Sequence, residues 1–494
     1  MELEFPKETY DCMHSVLWDV TEEEQTQEIK LGEALPDIGR VLSAWGQTMV
    51  RSKEWRGNGM SISGGVMAWV LFLPEDGSAP RCVETWIPFQ MRWEFPQTRR
   101  DGAMRVSCLL KNMDARTVSA RKLMVRAVVS AAAEALEPSQ FAIFQPLQLP
   151  EDVQVQKKRY PLCVPAEAGE KTFLLDEEFP LPSQLGQGGK LVCCTVQPEV
   201  TDVKVMADKL VFRGSAVVHC VFTDEEGQLH SSDFEVPFSQ YADLEREYPP
   251  EASGDLMLML TNLEPEVSED GMLRLKAGFV GQYVICSRPV LEVVEDAYSI
   301  NRFTELHKDT ATIPTLLDAW EEKITAQVKR EQHGQPDELC FTAGHPMLYR
   351  QGDTAQLEIP GYFHTLGTTE DGTLTGDSSN WEGSISANVA SNGKLQALCS
   401  PTGRPRELEG TLENGLLVSL RYSVNSEIPM VTGLTLGEAE VPDPERPSLL
   451  LRRTGTDSLW DIAKKCRSTV ADIQSVNGLE GEPEENRFLL IPLR

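Results

Sequence analysis

Residues 59–77 have the sequence GMSISGGVMAWVLFLPEDG, and the chain repeats this pattern twice more. The second copy is LVFRGSAVVHCVFTDEEG at 210–227, and the weaker third copy is AQLEIPGYFHTLGTTEDG at 355–372. Each copy is a strand-forming run that closes on an acidic residue followed by glycine, which is typical of a β-hairpin turn. The pattern therefore predicts a chain that is mainly β.

The spacing of the copies indicates that the repeating unit is a whole domain. Gly77, Gly227 and Gly372 end the three copies at intervals of 150 and 145 residues, well beyond the ~20–50 residues of a solenoid repeat. Short strands with Gly and Pro between them predict tandem antiparallel β-sandwich-like domains. We expect these domains over residues 1–148, 149–298 and 299–440, the third being the most divergent.

Two segments of the repeats have a competing helical interpretation. The first is 118–136, because the run AAAEAL at 131–136 has high helix propensity. The second is 318–332. The sequence alone leaves both alternatives open.

The C-terminal tail, residues 449–494, follows a Pro-rich linker at 441–448 and has a different pattern. Apolar residues fall at i, i+3, i+4 and i+7 from Leu459, which predicts an amphipathic helix that begins at Asp457 or Ser458. A capping-box pattern at 469–472 and the Asn477–Gly478 pair bound a second helix. The prediction is a small α+β domain with the order strand, helix, helix, strand, over 449–451, 458–466, 470–476 and 488–491.

Composition limits the partners and the compartment. The 494 residues include 46 Lys and Arg against 76 Asp and Glu, a formal net charge of −30, which argues against nucleic acid or an anionic membrane as the main partner. The N-terminus lacks a signal-peptide pattern, and the most apolar run, 64–73, is about half the length of a membrane span. Eleven scattered cysteines predict reduced thiols and a cytoplasmic location without membrane insertion.

The repeats and the tail together resemble a known family. The repeats resemble the SPOCS domain through LPDI at 35–38, the Asp76–Gly77 turn, PF at 88–89 and VPFSQ at 236–240. The tail resembles a LysM module. Repeated SPOCS domains followed by one LysM module resemble the SipL family of spore-coat morphogenetic proteins.

The resemblance implies a non-enzymatic scaffold of endospore coat morphogenesis, at the forespore surface in the mother-cell cytoplasm. Its LysM module would dock the coat basement-layer ATPase or another coat protein. LysM modules usually bind N-acetylglucosamine-containing glycans, so the alternative is a peptidoglycan- or chitin-binding protein of the cell envelope. The candidate binding residues in the tail are Gly455, Thr456, Asp457, Ser458, Leu459, Asn477, Gly478 and Leu479.

The tail departs from the usual LysM pattern at two places. The usual opening Gly-Asp-Thr-Leu is replaced by TGTDSLW at 454–460, where the glycine stands one place early. The loop 480–485 carries four glutamates, which disfavours stacking on a neutral sugar and favours a basic protein surface. The fold prediction is therefore firmer than the ligand prediction.

Other motifs predict no catalytic residue, metal site or cofactor. Residues 371–382 match an EF-hand loop in part, but threonines stand at its third and fifth positions. GQGGK at 186–190 lacks the spacing of a phosphate-binding loop. His219 and His364 occupy the repeat position of Trp69, which favours packing over metal ligation. A cell-wall hydrolase remains a third hypothesis, without a recognisable catalytic motif.

Overall fold

The computed structural model describes residues 1–493 except 98, 100, 147, 183–184, 186–188, 225, 269, 331–335, 370–371 and 441–446. Strands make up most of this part of the chain, and its two α-helices both lie in the tail. The mainly β prediction is confirmed. The described residues exclude 186–188 of the GQGGK segment, Asp371 at the first position of the partial EF-hand match, and most of the Pro-rich linker.

The first repeat is built from two three-stranded antiparallel sheets. The strands of this part of the chain are β1 (Glu2–Glu4), β2 (Lys7–Lys30), β3 (Ile38–Arg56), β4 (Gly59–Pro74), β5 (Arg81–Glu94), β6 (Ala103–Ser119) and β7 (Lys122–Phe144). One sheet has the order β2-β7-β6 and the other β3-β4-β5. Their facing sides share an apolar core that includes Val66, Phe72, Val106 and Val125.

The second repeat uses the same layout. Its strands are β8 (Val153–Pro161), β9 (Val164–Pro180), β10 (Lys190–Thr223), β11 (Leu229–Tyr248), β12 (Ser253–Val267), β13 (Met272–Ser287) and β14 (Val290–Ser299). One sheet has the order β12-β13-β9, and β10 pairs with β11. The chain folds back within β10 near Ala207, whose φ is +51°. The evidence is a hydrogen bond from the Thr201 hydroxyl to the Arg213 carbonyl oxygen at 3.2 Å. These residues are twelve positions apart and would lie ~40 Å from each other in an extended strand.

The strands of the third repeat are β15 (Arg302–Lys329), β16 (Pro336–Ala343), β17 (Met347–Gln351), β18 (Thr354–Thr368), β19 (Leu374–Asn388), β20 (Lys394–Leu408) and β21 (Thr411–Ala439). One sheet has the order β15-β21-β20. In the other, β18 lies between β19 on one edge and β16 and β17 on the other. The N-terminal strand β1 also pairs with β21, so the start of the chain joins the last repeat. Gly77, Gly227 and Gly372 have φ of +71°, +82° and +79° in the three equivalent turns, the left-handed conformation that favours glycine there.

Both helical alternatives in the repeats are wrong. Residues 131–133 lie in β7, and the described part of 318–332 lies in β15 up to Lys329. β7 is the middle strand of its sheet, and Ala131, Ala132 and Ala133 are each 0% exposed. Pairing on both edges and burial on both faces outweigh the intrinsic helix propensity of alanine.

Ribbons from all three repeats meet in a shared core, which we call the stem. In each repeat, one antiparallel pair of strands forms a two-stranded ribbon. The three ribbons are residues 7–13 with 138–144, β8 with β14, and the start of β15 with the end of β21. The stem core takes residues from every ribbon: Cys12, Phe141, Ile143, Val164, Leu291, Val293, Ile313, Ile428 and Met430. The three repeats therefore bury apolar side chains against one another, in addition to having similar sequences.

Each pair of repeats is also linked by polar side chains. Gln282 of the second repeat is buried and bonds to the backbone N and O of Val106 at 2.9 and 2.8 Å, as a neighbouring strand would. His345 of the third repeat is buried against the first and bonds to the Ser107 carbonyl oxygen at 3.1 Å. Between the second and third repeats, the Glu338 carboxylate contacts His219 at 2.9 Å. Each pair of repeats is thus fixed by a buried polar contact.

The equivalent positions Trp69, His219 and His364 differ in their surroundings. Trp69 is 3% exposed in the core, and burial lowers the pKa of His364 to about 4. His219 instead lies between Asp233 at 2.8 Å and Glu338, and Arg404 also bonds to both carboxylates. Burial and the charge of Arg404 lower the pKa of His219, but the hydrogen bonds to Asp233 and Glu338 outweigh them and hold it above its ordinary value. His219 is therefore part of an ionic contact between repeats.

All eleven cysteines lie in the described part of the chain, and all are free thiols. No helix in the described residues is long and apolar enough to cross a membrane.

Candidate docking site in the C-terminal tail

The tail folds as a two-stranded antiparallel sheet with two short helices between its strands. The tail contributes six residues to one apolar core, each at most 1% exposed: Leu459, Ile462, Ala463, Ile473, Leu489 and Ile491. The elements are β22 (Leu449–Arg453), α1 (Leu459–Cys466), α2 (Val470–Asn477) and β23 (Phe488–Pro492). This is the element order predicted from the sequence.

The first candidate segment, 455–459, forms the start of α1. Ser458 is the N-cap, and its hydroxyl accepts the Asp461 N–H at 3.2 Å while the Asp461 carboxylate accepts the Ser458 N–H at 3.3 Å. The hydrogen bond from Ser458 lowers the pKa of Asp461. Asp457 forms ion pairs with Arg452 and Lys465, at 2.6 and 2.9 Å. Leu459 is buried, so Gly455 and Thr456 are the exposed members of this segment.

The second candidate segment, 477–479, ends α2 and attaches it to the sheet. The Asn477 amide donates to the carbonyl oxygens of Ile473 and Leu490 and accepts the Leu490 N–H at 2.8 Å. Gly478 is the C-cap at φ +61°, in the left-handed region that glycine tolerates best. Leu479 is partly buried against the tail core. Both segments therefore have structural roles in the tail.

The acidic loop closes over the start of α1. The Glu482 carboxylate accepts the Leu459 N–H at 2.8 Å, where the helix N-terminus favours negative charge. The Thr454 hydroxyl donates to the Glu484 carbonyl oxygen at 2.9 Å. Sequence analysis identified the loop as acidic but missed this role, because the two groups are 23 residues apart and no local pattern joins them.

The tail also packs against the ribbon of the second repeat. The Trp460 indole N–H donates to Asp296 at 2.8 Å, and the Lys464 ammonium lies 2.7 Å from the same carboxylate. Burial raises the pKa of Asp296, but the hydrogen bonds from Lys464 and Trp460 outweigh it and leave the pKa below its ordinary value. Tyr298 packs edge-on against Trp460, with ring centroids 4.9 Å apart, and its hydroxyl donates to the Ser468 carbonyl oxygen at 2.7 Å. Trp460 is thus an internal contact.

A large cleft lies where the three repeats meet. It has a volume of about 950 Å³ and is lined by residues of all three repeats, including Arg105, Asp255 and Arg421. These charges are bound to one another, because the Asp255 carboxylate bridges Arg105 and Arg421. The described residues hold no cluster of three or more His, Cys, Asp or Glu side chains that could bind a metal ion. We therefore interpret the cleft as a junction between repeats, held together by these ion pairs.

One part of the chain matches a known protein family. Residues 189–268 match the family described as SipL, SPOCS domain. The match covers all of β10, β11 and β12, and so the centre of the second repeat. No curated protein and no solved structure matches the chain.

The SPOCS match supports the repeat half of the resemblance inferred from sequence. It falls on the copy that begins at Leu210, including VPFSQ at 236–240. The first and third repeats share the strand layout of the matched repeat.

Proposed function

We propose that this protein is a non-enzymatic scaffold of endospore coat morphogenesis. The observation that carries the proposal is the SPOCS match over residues 189–268, at the centre of a unit that the chain repeats three times. The scaffold would act at the forespore surface in the mother-cell cytoplasm. Its division into domains over 1–148, 149–298, 299–440 and 449–494, with a linker at 441–448, belongs to the same proposal.

The way the repeats are joined supports a rigid scaffold. Buried side chains such as Gln282 and His345 bond across repeat boundaries, and the stem core draws on all three repeats. A rigid body holds its binding surfaces at fixed separations, so several weak contacts with an assembly can act together. A protein that organises a layered coat benefits from this arrangement.

In this proposal the tail is a LysM module that docks a protein, namely the coat basement-layer ATPase. Its helix-capped strand-helix-helix-strand fold supports the module assignment. Six of the eight candidate residues, all except Gly455 and Thr456, cap helices, form ion pairs or pack in the tail itself. The glutamates around Glu482 add negative charge beside them. These features favour a protein partner over a neutral glycan.

Two measurements on the full-length protein test the proposal. A fluorescent fusion in a sporulating cell is expected to form a ring at the forespore surface, and the purified chain is expected to bind the purified basement-layer ATPase of the same organism. Diffuse fluorescence without binding of the ATPase would overturn the proposal. Retention on insoluble peptidoglycan or chitin that resists high salt would instead support the glycan-binding alternative.

A further inference from the structure

The two-stranded sheet of the tail has an inner side that packs on the helices and an outer side that exposes apolar residues. The register pairs Leu451 with Leu490 and Arg453 with Phe488, and successive side chains of a strand point to opposite sides. Leu489 and Ile491 point inward and are 0% exposed. The outer side carries what we call the outer tail face: Leu449, Leu451, Phe488 and Leu490, which are 51%, 62%, 61% and 40% exposed.

The tail fold does not require apolar residues on this side. The helices pack on the inner side, where Leu459, Ile462 and Ile473 complete the core with the inward residues of β23. The outer tail face exposes on the order of 400 Å² of apolar surface, in the range of the largest patches on whole monomers, which are often functional. Contiguous apolar side chains on an exposed sheet face are typical of an interaction surface.

The chemistry of the outer tail face selects among possible occupants. A glycan needs hydrogen-bonding side chains to orient its hydroxyl groups, and the four side chains provide none. A second copy of the chain is also a poor occupant, because each copy carries a formal net charge of −30, which opposes self-association.

Arg453 adds a charged contact at one end of the face. It is exposed, it lies on the same side as Leu451 and Phe488 by register, and no ion pair is found for it among the described residues. An apolar ridge with a carboxylate placed opposite Arg453 would complement both features. Such an arrangement belongs to a protein surface, where an apolar centre with a charged rim is usual.

We propose that the outer tail face is the surface through which the tail docks its protein partner, by means of an apolar ridge flanked by an acidic residue. This inference rests on the proposed function, since it assigns the binding surface for the basement-layer ATPase. It places the contact on the sheet rather than on the segments 455–459 and 477–479. The helices and the acidic loop then serve to hold the sheet.

The test uses full-length protein and the purified basement-layer ATPase. The double variant Leu451→Ser/Phe488→Ser is expected to bind at least tenfold more weakly, and Arg453→Glu at least threefold more weakly. Leu174→Ser is the matched control, because Leu174 is 57% exposed on β9 in the second repeat; its affinity is expected to stay within twofold of wild type. Unchanged melting temperatures would show that the variants fold.

The outcomes separate the two proposals. If the wild-type chain binds and the double variant binds equally well, the outer tail face is not the docking surface, while the scaffold function stands. If the wild-type chain does not bind the ATPase, both proposals fall. Hydrogen exchange of the complex gives a second readout that needs no variant: slower exchange in β22 and β23 is expected, and unchanged exchange there with slower exchange at 455–459 would overturn the inference.

Discussion

His345 joins the third repeat to the first through a fully buried imidazole. Its Nδ1 accepts the Cys399 N–H at 3.4 Å, so Nε2 carries the proton and donates to the Ser107 carbonyl oxygen at 3.1 Å. Its backbone N–H donates to the Ser130 hydroxyl at 3.0 Å. Burial lowers the pKa of His345 from 6.5 to about 4, since a charged imidazole there would lose its hydration.

The low pKa of His345 predicts that acid weakens the junction. The unfolded chain binds a proton at this histidine below pH 6.5, whereas the folded protein does so near pH 4. The contribution of His345 is therefore complete above pH 6.5 and is lost as the pH falls toward 4. His345→Gln is expected to reduce the difference in unfolding free energy between pH 7 and pH 5 by about 2 kcal/mol. Urea titrations at both pH values measure it, and an unchanged difference would contradict the assignment.

Asp255 neutralises two arginines from different repeats. Its carboxylate lies 2.6 Å from Arg421 and also contacts Arg105, whose other terminal nitrogen lies 3.0 Å from Glu134. Burial raises the pKa of Asp255, but the charges of Arg105 and Arg421 outweigh it and lower the pKa to about 2. The stabilisation is therefore present above pH 3.8 and is lost as the pH falls toward 2.

Asp255→Asn is expected to lower the unfolding free energy at pH 7 by about 2 kcal/mol. This is less than the ~3–5 kcal/mol of a fully buried pair, because the Asp255 side chain is 38% exposed. The matched control is Asp243→Asn, which removes the surface pair with Lys209, where the side chains are 72% and 43% exposed. Its unfolding free energy is expected to be indistinguishable from that of the wild type, because an exposed ion pair contributes little. Equal losses of unfolding free energy in the two variants would show that the Asp255 bridge stabilises the protein no more than a surface ion pair does.

At the scale of elements, the alanine run of β7 shows how layer packing overrides local propensity. Ala133 faces Asp19 on one neighbouring strand and Val106 on the other, and is 0% exposed. Ala133→Leu is expected to destabilise the protein by about 2 kcal/mol through overpacking. Ala120→Leu, in the exposed β6–β7 turn, is expected to change stability by less than ~0.5 kcal/mol. Chemical denaturation compares the two, and a tolerated Ala133→Leu would show that the layers are loosely packed.

Elements set by local signals were predictable from sequence, and elements set by distant contacts were not. The tail helices begin at Ser458 and Thr469 because their side chains cap backbone groups three residues away. The β7 alanines, in contrast, are strand residues because β2 and β6 flank them, and β2 lies more than 100 residues earlier. Local sequence patterns identified the candidate residues 455–459 and 477–479. The contacts of Glu482 with Leu459 and of Asp296 with Trp460 could not be predicted in this way, because they form only when distant segments meet in the folded chain.

At the scale of the whole molecule, the tail is joined to the repeats by a small contact. Tyr298 and Ile300, where the second repeat meets the third, belong to the tail core and are 4% and 8% exposed. The Asp296 ion pair with Lys464 adds a polar contact at 2.7 Å. The main cores of the repeats consist of residues outside the tail. The tail therefore depends on the repeats more than the repeats depend on the tail.

This asymmetry predicts the result of removing the tail. A chain that ends at residue 440 is expected to keep the far-ultraviolet circular dichroism of its strands, because the repeat cores and the stem core remain intact. Its melting temperature is expected to fall slightly, since Tyr298 and Ile300 become exposed. Binding of the basement-layer ATPase is expected to be lost, since the outer tail face is removed. Collapse of the strand signal would instead show that the tail and the second-repeat ribbon fold as one cooperative unit, and binding that survives the deletion would place the docking surface on the repeats.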